Sequence, residues 1–91
     1  MGPRTVAVVG AGTMGAGIAQ KIAQEGFAVL LADTELVRAD AGRAKVAASL
    51  DEAVAKQVLG RAEAEAALAR VRAVGDLAEL RDADLVIEAI F

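Results

Sequence analysis

The chain has 91 residues and a mass of 9.2 kDa, the size of one small domain that buries only about 60–65% of its unfolded surface. It contains no cysteine and no histidine, which excludes disulfide scaffolds, zinc fingers, thiol nucleophiles and histidine bases among these residues. Ten Lys and Arg against 13 Asp and Glu, with only two aromatic residues, argue against a nucleic-acid surface.

The longest uncharged run, Thr5 to Gln20, is interrupted by Gly10, Gly12, Gly15 and Gly17 and is too short to span a membrane. Met1-Gly2-Pro3-Arg4 does not read as a signal peptide. The N-myristoylation pattern fails as well, because Val6 stands where Ser or Thr is required. A soluble, cytoplasmic protein is expected.

Thr5-Val6-Ala7-Val8-Val9 is a continuous apolar run rich in β-branched residues, the pattern of a parallel strand covered on both faces. The glycine cluster Gly10 to Gly17 follows, and Met14, Ile18 and Ile22, with the small Ala19 and Ala23, form a helical stripe. Gly26 sits where a left-handed residue closes a helix. Phe27 to Ala32 is a second buried strand, ended by Asp33. Strand, glycine turn, helix and strand make a βαβ unit with a right-handed crossover.

From Thr34, taken as an N-cap, to about Val58 only Gly42 disfavours helix. Leu36, Val46, Leu50, Val54 and Val58 supply its apolar stripe. Arg38, Arg43, Lys45, Asp51, Glu52 and Lys56 make the opposite, solvated face. Gly60 punctuates the chain, and Ala62 to Val71 reads as another helix with Leu68 inward, so a helical hairpin joins strands two and three. Val71 to Val74 forms the third strand. Asp76-Leu77-Ala78-Glu79 has capping-box spacing for a short helix through Arg81. Asp84 to Phe91 is the fourth strand. This succession predicts an α/β fold, the first half of a doubly wound (Rossmann) parallel sheet in the order 3-2-1-4. Residues 1–91 are read as the N-terminal half of a dinucleotide-binding domain whose second half and substrate domain lie elsewhere.

Gly10-Ala11-Gly12-Thr13-Met14-Gly15 matches G-x-G-x-x-G in the context the pattern requires, after a strand and opening a helix. Gly10 permits the tight turn, Gly12 lets backbone approach a diphosphate, and Gly15 allows close helix packing. The bland alternative is a tightened junction with no ligand. Asp33 lies 18 residues past Gly15, at the end of strand two. There a carboxylate accepts the adenine-ribose hydroxyls and repels a 2′-phosphate, which favours NAD over NADP. Arg38 should project a full turn away from any 2′-phosphate; the bland alternative for Asp33 is an acid that merely leads into the next helix beside Thr34.

Val8 to Gln20 and Asp82-Ala83-Asp84-Leu85-Val86-Ile87-Glu88-Ala89, together with the helical hairpin, resemble the 3-hydroxyacyl-CoA dehydrogenases, including the dehydrogenase part of multifunctional fatty-acid β-oxidation proteins. The resemblance implies oxidation of a 3-hydroxyacyl-CoA to its 3-oxo form with hydride passing to NAD. It implies cofactor contacts from the Gly10–Gly15 loop, Asp33, Ala89 and Ile90, and CoA contacts from Ser49 and Lys56. The family's His general base, with its Glu partner and the Ser and Asn near the substrate carbonyl, follows the fourth strand, so these 91 residues are expected to be inactive alone. Without the resemblance, Glu52 and Lys56 are an ordinary i,i+4 ion pair, Ser49 is a solvated hydroxyl, and Glu88 is either beside the cofactor crevice or merely at a strand end. Competing readings are the same half-fold from a 3-hydroxyacid or sugar-nucleotide dehydrogenase, and a non-catalytic nucleotide-binding or self-associating module. A homo-oligomer is expected for the intact protein. The apolar edge Leu85–Phe91 is expected to pair between copies of the short chain. No metal ligand set and no catalytic residue are assigned.

Overall fold

The computed structural model describes residues 4–89. Four strands, β1 (Thr5–Val9), β2 (Ala28–Ala32), β3 (Val71–Val74) and β4 (Leu85–Glu88), alternate with helices α1 (Thr13–Gln24), α2 (Leu36–Ala55) and α3 (Arg61–Ala69) and a single 3-10 turn at Leu77–Leu80. All strands are parallel, in the order β3-β2-β1-β4. Val6 stands opposite Val29 on one side and Leu85 on the other. The expected topology is therefore present, strand for strand.

Side chains alternate across a strand, and the two faces of this sheet have different cover. Val8, Val29, Leu31 and Val71 pack with Ala19 and Ala23 of α1, Val46 and Leu50 of α2, and Ala64 and Ala67 of α3. The chain moves from β1 to β2 to β3 in one direction, so right-handed crossovers stack all three helices on that face. Alanine where α1 meets the sheet brings helix and strands close together. On the other face, Ala7, Ala32 and Val74 have only Leu80 from the 3-10 turn as buried cover, with Val9, Leu30 and Ala83 partly buried. Cover on both faces was expected from the continuous apolar runs; among the described residues the helices cover one face only.

Helix ends account for most of the local differences from expectation. Gly26 has a φ of +102° and follows the α1 C-cap, as its position implied. Thr34 is not an N-cap: its amide and hydroxyl both donate to Asp33 Oδ1, and α2 begins after Glu35. α2 ends at Ala55, with Gln57 at a φ of +59°, so Val58 is 76% exposed instead of extending the stripe, and Leu36 is exposed too. Ala39, Gly42, Val46 and Leu50 are the buried residues of α2. Met14, assigned to the inner stripe of α1, is 46% exposed. Asp76 accepts from the Ala78 amide, but Glu79 pairs with Arg72 instead of completing the box, and the segment forms one 3-10 turn.

Arg43 departs furthest from its expected place on the solvated face. Its guanidinium is partly buried and donates to two carbonyls, Val71 O at 2.7 Å and Leu68 O at 3.0 Å. It ties the middle of α2 to the end of α3 and the start of β3. Arg70 acts similarly, donating to Ala23 O at 2.8 Å near the α1 C-terminus. Both place a cation on carbonyls at or just past the C-terminal end of a helix.

Candidate functional site

The strand ends gather the glycine loop, Asp33 and Ala89 at one edge of the sheet. Gly10 adopts a φ of +104° and its amide donates to Ala32 O at 2.8 Å, which turns the chain off β1 and pins it to β2. A Cβ at Gly15 would overlap the Gly10 carbonyl oxygen, so the first turn of α1 sits directly on the loop. A Cβ at Gly12 would meet nothing within 4 Å. The space it would fill lies open at the α1 N-terminus.

That N-terminus has no side-chain cap and no acidic residue in its first turn. The unpaired amides and the positive end of the helix dipole therefore face an open cradle that suits a diphosphate. The residues thus fit a dinucleotide such as NAD: an uncapped helix start and Cβ-free space at Gly12 stand beside a carboxylate on the next strand.

Asp33 is held in that arrangement by the loop itself. Its Oδ2 accepts from the Ala11 amide at 3.1 Å, and its Oδ1 accepts from the Thr34 amide at 2.8 Å. The Ala11 hydrogen bond is the largest cause holding the Asp33 carboxyl below its ordinary range; partial burial opposes it, and the Thr34 donors and the nearby Arg38 charge add to it. The carboxylate is thus ionised and fixed, with lone-pair capacity remaining on Oδ2 for a hydroxyl donor. Arg38 is exposed and engaged with Glu35 at 3.1 Å.

β4 reaches the same place from the other side. The Ala89 amide donates to Val9 O at 2.8 Å, and the Ala89 Cβ lies 3.7 Å from the position a Cβ would take at Gly15. Ala89 therefore flanks the loop. Glu88 is exposed at the strand end. Ile90, the other position expected there, lies outside the described residues.

Lys56 is not among the residues that line the groove at Ser49. Ser49 lines a groove of about 280 Å³ between α1 and α2, with Thr13, Ala16, Gly17, Gln20 and Lys45. Lys56 is exposed and bound to Glu52 at 2.7 Å, as the i,i+4 spacing implied, and that contact raises the Lys56 pKa and lowers that of Glu52. The cation beside Ser49 is Lys45, whose Nζ lies 3.5 Å from Thr13 Oγ1. It sits four residues before Ser49, one helical turn away, a spacing that already puts the two on one face. A larger groove of about 590 Å³, lined by Gln24, Glu25, Leu59 and Arg70 among others, lies at the far end of α1 from the glycine loop.

Comparison with known proteins agrees with this geometry. A 3-hydroxybutyryl-CoA dehydrogenase of Bradyrhizobium diazoefficiens is 41% identical over 85 residues, covering 93% of this chain and 29% of that protein. A 3-hydroxyadipyl-CoA dehydrogenase of Escherichia coli K12 is 45% identical over 89 residues, covering 94% of this chain and 18% of that protein. Among solved structures, (S)-3-hydroxybutyryl-CoA dehydrogenase from Ralstonia eutropha superposes with a TM-score of 0.91 at 42% identity, covering 99% of this chain and 32% of that one. The chain thus spans under a third of the length of these relatives. The family described as 3-hydroxyacyl-CoA dehydrogenase, NAD binding domain, matches residues 5–91; with the glycine cradle and fixed carboxylate in place, this chain belongs to that family and its cofactor is NAD.

Proposed function

We propose that this chain is the NAD-binding half of an enzyme that oxidises a 3-hydroxyacyl-CoA to the 3-oxoacyl-CoA in fatty-acid or related acyl-CoA metabolism. The observation that carries the reading is the Ala11–Asp33 hydrogen bond, which fixes a ribose-accepting carboxylate against an uncapped, Cβ-free helix start. Bound in this cradle, NAD would supply the acceptor for a hydride from C3 of the substrate, and the hydroxyl proton would pass to a base. Gly12, Thr13 and Met14 present the backbone amides for the diphosphate, and Asp33 orients the adenine ribose. Ala89 borders the loop on the side of β4. None of the 91 residues is a histidine, and we assign the base to the rest of the intact enzyme, so this chain is inactive alone.

The groove between α1 and α2 supports CoA contact at Ser49, with Lys45 as its neighbouring cation. Lys56, the second CoA contact of this reading, is the C-cap residue of α2 and pairs with Glu52. An acyl-CoA substrate and an NAD cofactor are intracellular metabolites, which supports a cytoplasmic setting. Self-association of the intact enzyme belongs to the same reading, and the edge at β4 supports pairing between short chains.

An NMR titration tests this reading. NAD should shift Gly10 to Gly17, Asp33 and Ala89 with weak affinity, CoA should shift Ser49 and its neighbours, and 3-hydroxybutyryl-CoA should not be turned over. Absence of shifts at about millimolar NAD, a concentration that detects binding of roughly −4 kcal/mol, contradicts the reading, and measurable turnover contradicts the inactivity of the chain.

A further inference from the structure

Gly42 lies on the buried stripe of α2, yet it faces the glycine loop as well as the sheet. A Cβ there would stand 2.6 Å from Ala11 O, 2.8 Å from Ala11 Cβ and 3.1 Å from Leu31 Cδ2. The first of these is backbone, which cannot swing away as a flexible side chain does. Ala11 is itself buried, at 4% exposure, and its amide is the one that donates to Asp33 Oδ2. Ala11 is therefore gripped from two sides, by α2 against its carbonyl and by Asp33 at its amide. Immediately before it, the Gly10 amide is bonded to β2.

Within a helix, glycine is unfavourable relative to alanine. At Gly42 no turn or positive φ calls for one. What calls for it is the close approach of α2 to Ala11. Moving α2 outward would release the loop, and moving the loop would pull the Ala11 amide off the carboxylate.

We propose that Gly42 is a positioning residue for nucleotide binding: by letting α2 close onto Ala11, it sets the spacing between the diphosphate-binding amides and the ribose-binding Asp33. The proposal rests on the dinucleotide reading of that site. Its consequence is that a helix from the hairpin controls the loop's geometry from the side of the Ala11 carbonyl. A displacement of the order of 1 Å in such a site is enough to cost one to two decades of function.

The test is Gly42→Ala in the 91-residue chain, read three ways. Expected are faster hydrogen exchange at the Ala11 amide, an Asp33 carboxyl titrating upward toward the ordinary range, and NAD affinity reduced about tenfold or more. The melting temperature should fall although alanine is the better helix former. Ala44→Gly, on the exposed side of α2, is the control. It should lower the melting temperature and leave Ala11, Asp33 and NAD affinity unchanged, which separates helix stability from loop position. A folded Gly42→Ala protein in which the Ala11 exchange and the Asp33 titration match the parent overturns the proposal, as does NAD affinity within about twofold of the parent, a difference under about 0.5 kcal/mol. If Gly42→Ala does not fold, the parent decides: an Ala11 amide protected like those of β2 supports the clamp, and one exchanging like an open loop overturns it. The exchange and titration measurements need no NAD, so a parent that fails to bind NAD defeats the functional reading while the clamp is still judged.

Discussion

Gly12 and Gly15 lie three residues apart in one motif and answer to different forces. At Gly15 the space is already occupied by the Gly10 carbonyl, so Gly15→Ala must separate the helix from the loop. The expected loss is about 3 kcal/mol or more by urea unfolding, at the upper end of overpacking costs. At Gly12 a Cβ meets nothing, and its φ of −73° suits any residue. Gly12→Ala should therefore cost about 1 kcal/mol or less, the cost of an alanine at an N-cap, while NAD binding is lost because the methyl fills the cradle. A Gly12→Ala protein that binds NAD normally would show that the diphosphate does not approach there.

Asp33 permits a test by pH. Its folded pKa lies below the ordinary aspartate range, chiefly because the Ala11 amide donates to the carboxylate. A depressed carboxyl pKa stabilises the fold fully above the unfolded value, and that contribution is lost as pH falls through the folded value. The stability gap between the parent and Asp33→Asn should be widest above about pH 5 and should narrow below about pH 3. The same variant should weaken NAD and lessen discrimination against NADP, since the repelling charge is gone. A gap independent of pH would show that the charge of Asp33 does not matter to folding.

Among the elements, the helical hairpin is tied in part by a side chain whose role its sequence disguised. Arg43 sits in a charged stretch of a sparsely apolar helix, and nothing in that spacing marks it as a clamp. In the fold it satisfies Leu68 O and Val71 O at once. Arg43→Met keeps the aliphatic stem and removes both bonds, leaving two partly buried carbonyls without that partner. The expected loss is about 1–3 kcal/mol in chemical denaturation, whereas Arg38→Met, which removes only an exposed pair with Glu35, should change stability by less than about 1 kcal/mol. Equal effects at the two positions would remove the structural role assigned to Arg43. The strands were legible as short continuous apolar runs, and the interior of each helix by apolar residues at helical spacing. Helix ends were less so, since Thr34 had a nearer partner in Asp33 than in the helix it precedes.

At the scale of the molecule, the sheet is thinly covered on one face and ends in β3 and β4 at its two edges among the described strands. β4 pairs with β1 alone among the described strands, and its Leu85 and Val86 are 56% and 49% exposed. Unpaired strand edges with apolar side chains template association. We propose that the 91-residue chain self-associates along β4; Val86→Lys should shift light scattering toward monomer, and a parent that stays monomeric at high concentration would contradict the pairing.

The order of strands and helices, the glycine turn and the acid at the end of the second strand follow from the sequence alone. Each is local, set by periodic apolar residues and by glycine where a side chain cannot fit. The Ala11 amide on Asp33, the Lys45 ammonium on Thr13, Arg43 across the hairpin and Gly42 against the loop come from the tertiary structure. They join residues 22 to 32 positions apart in the first three cases or depend on how closely two backbones approach. Hydrogen-bond geometry and hard-sphere contact act over a few ångströms in space, and no spacing along the chain records them.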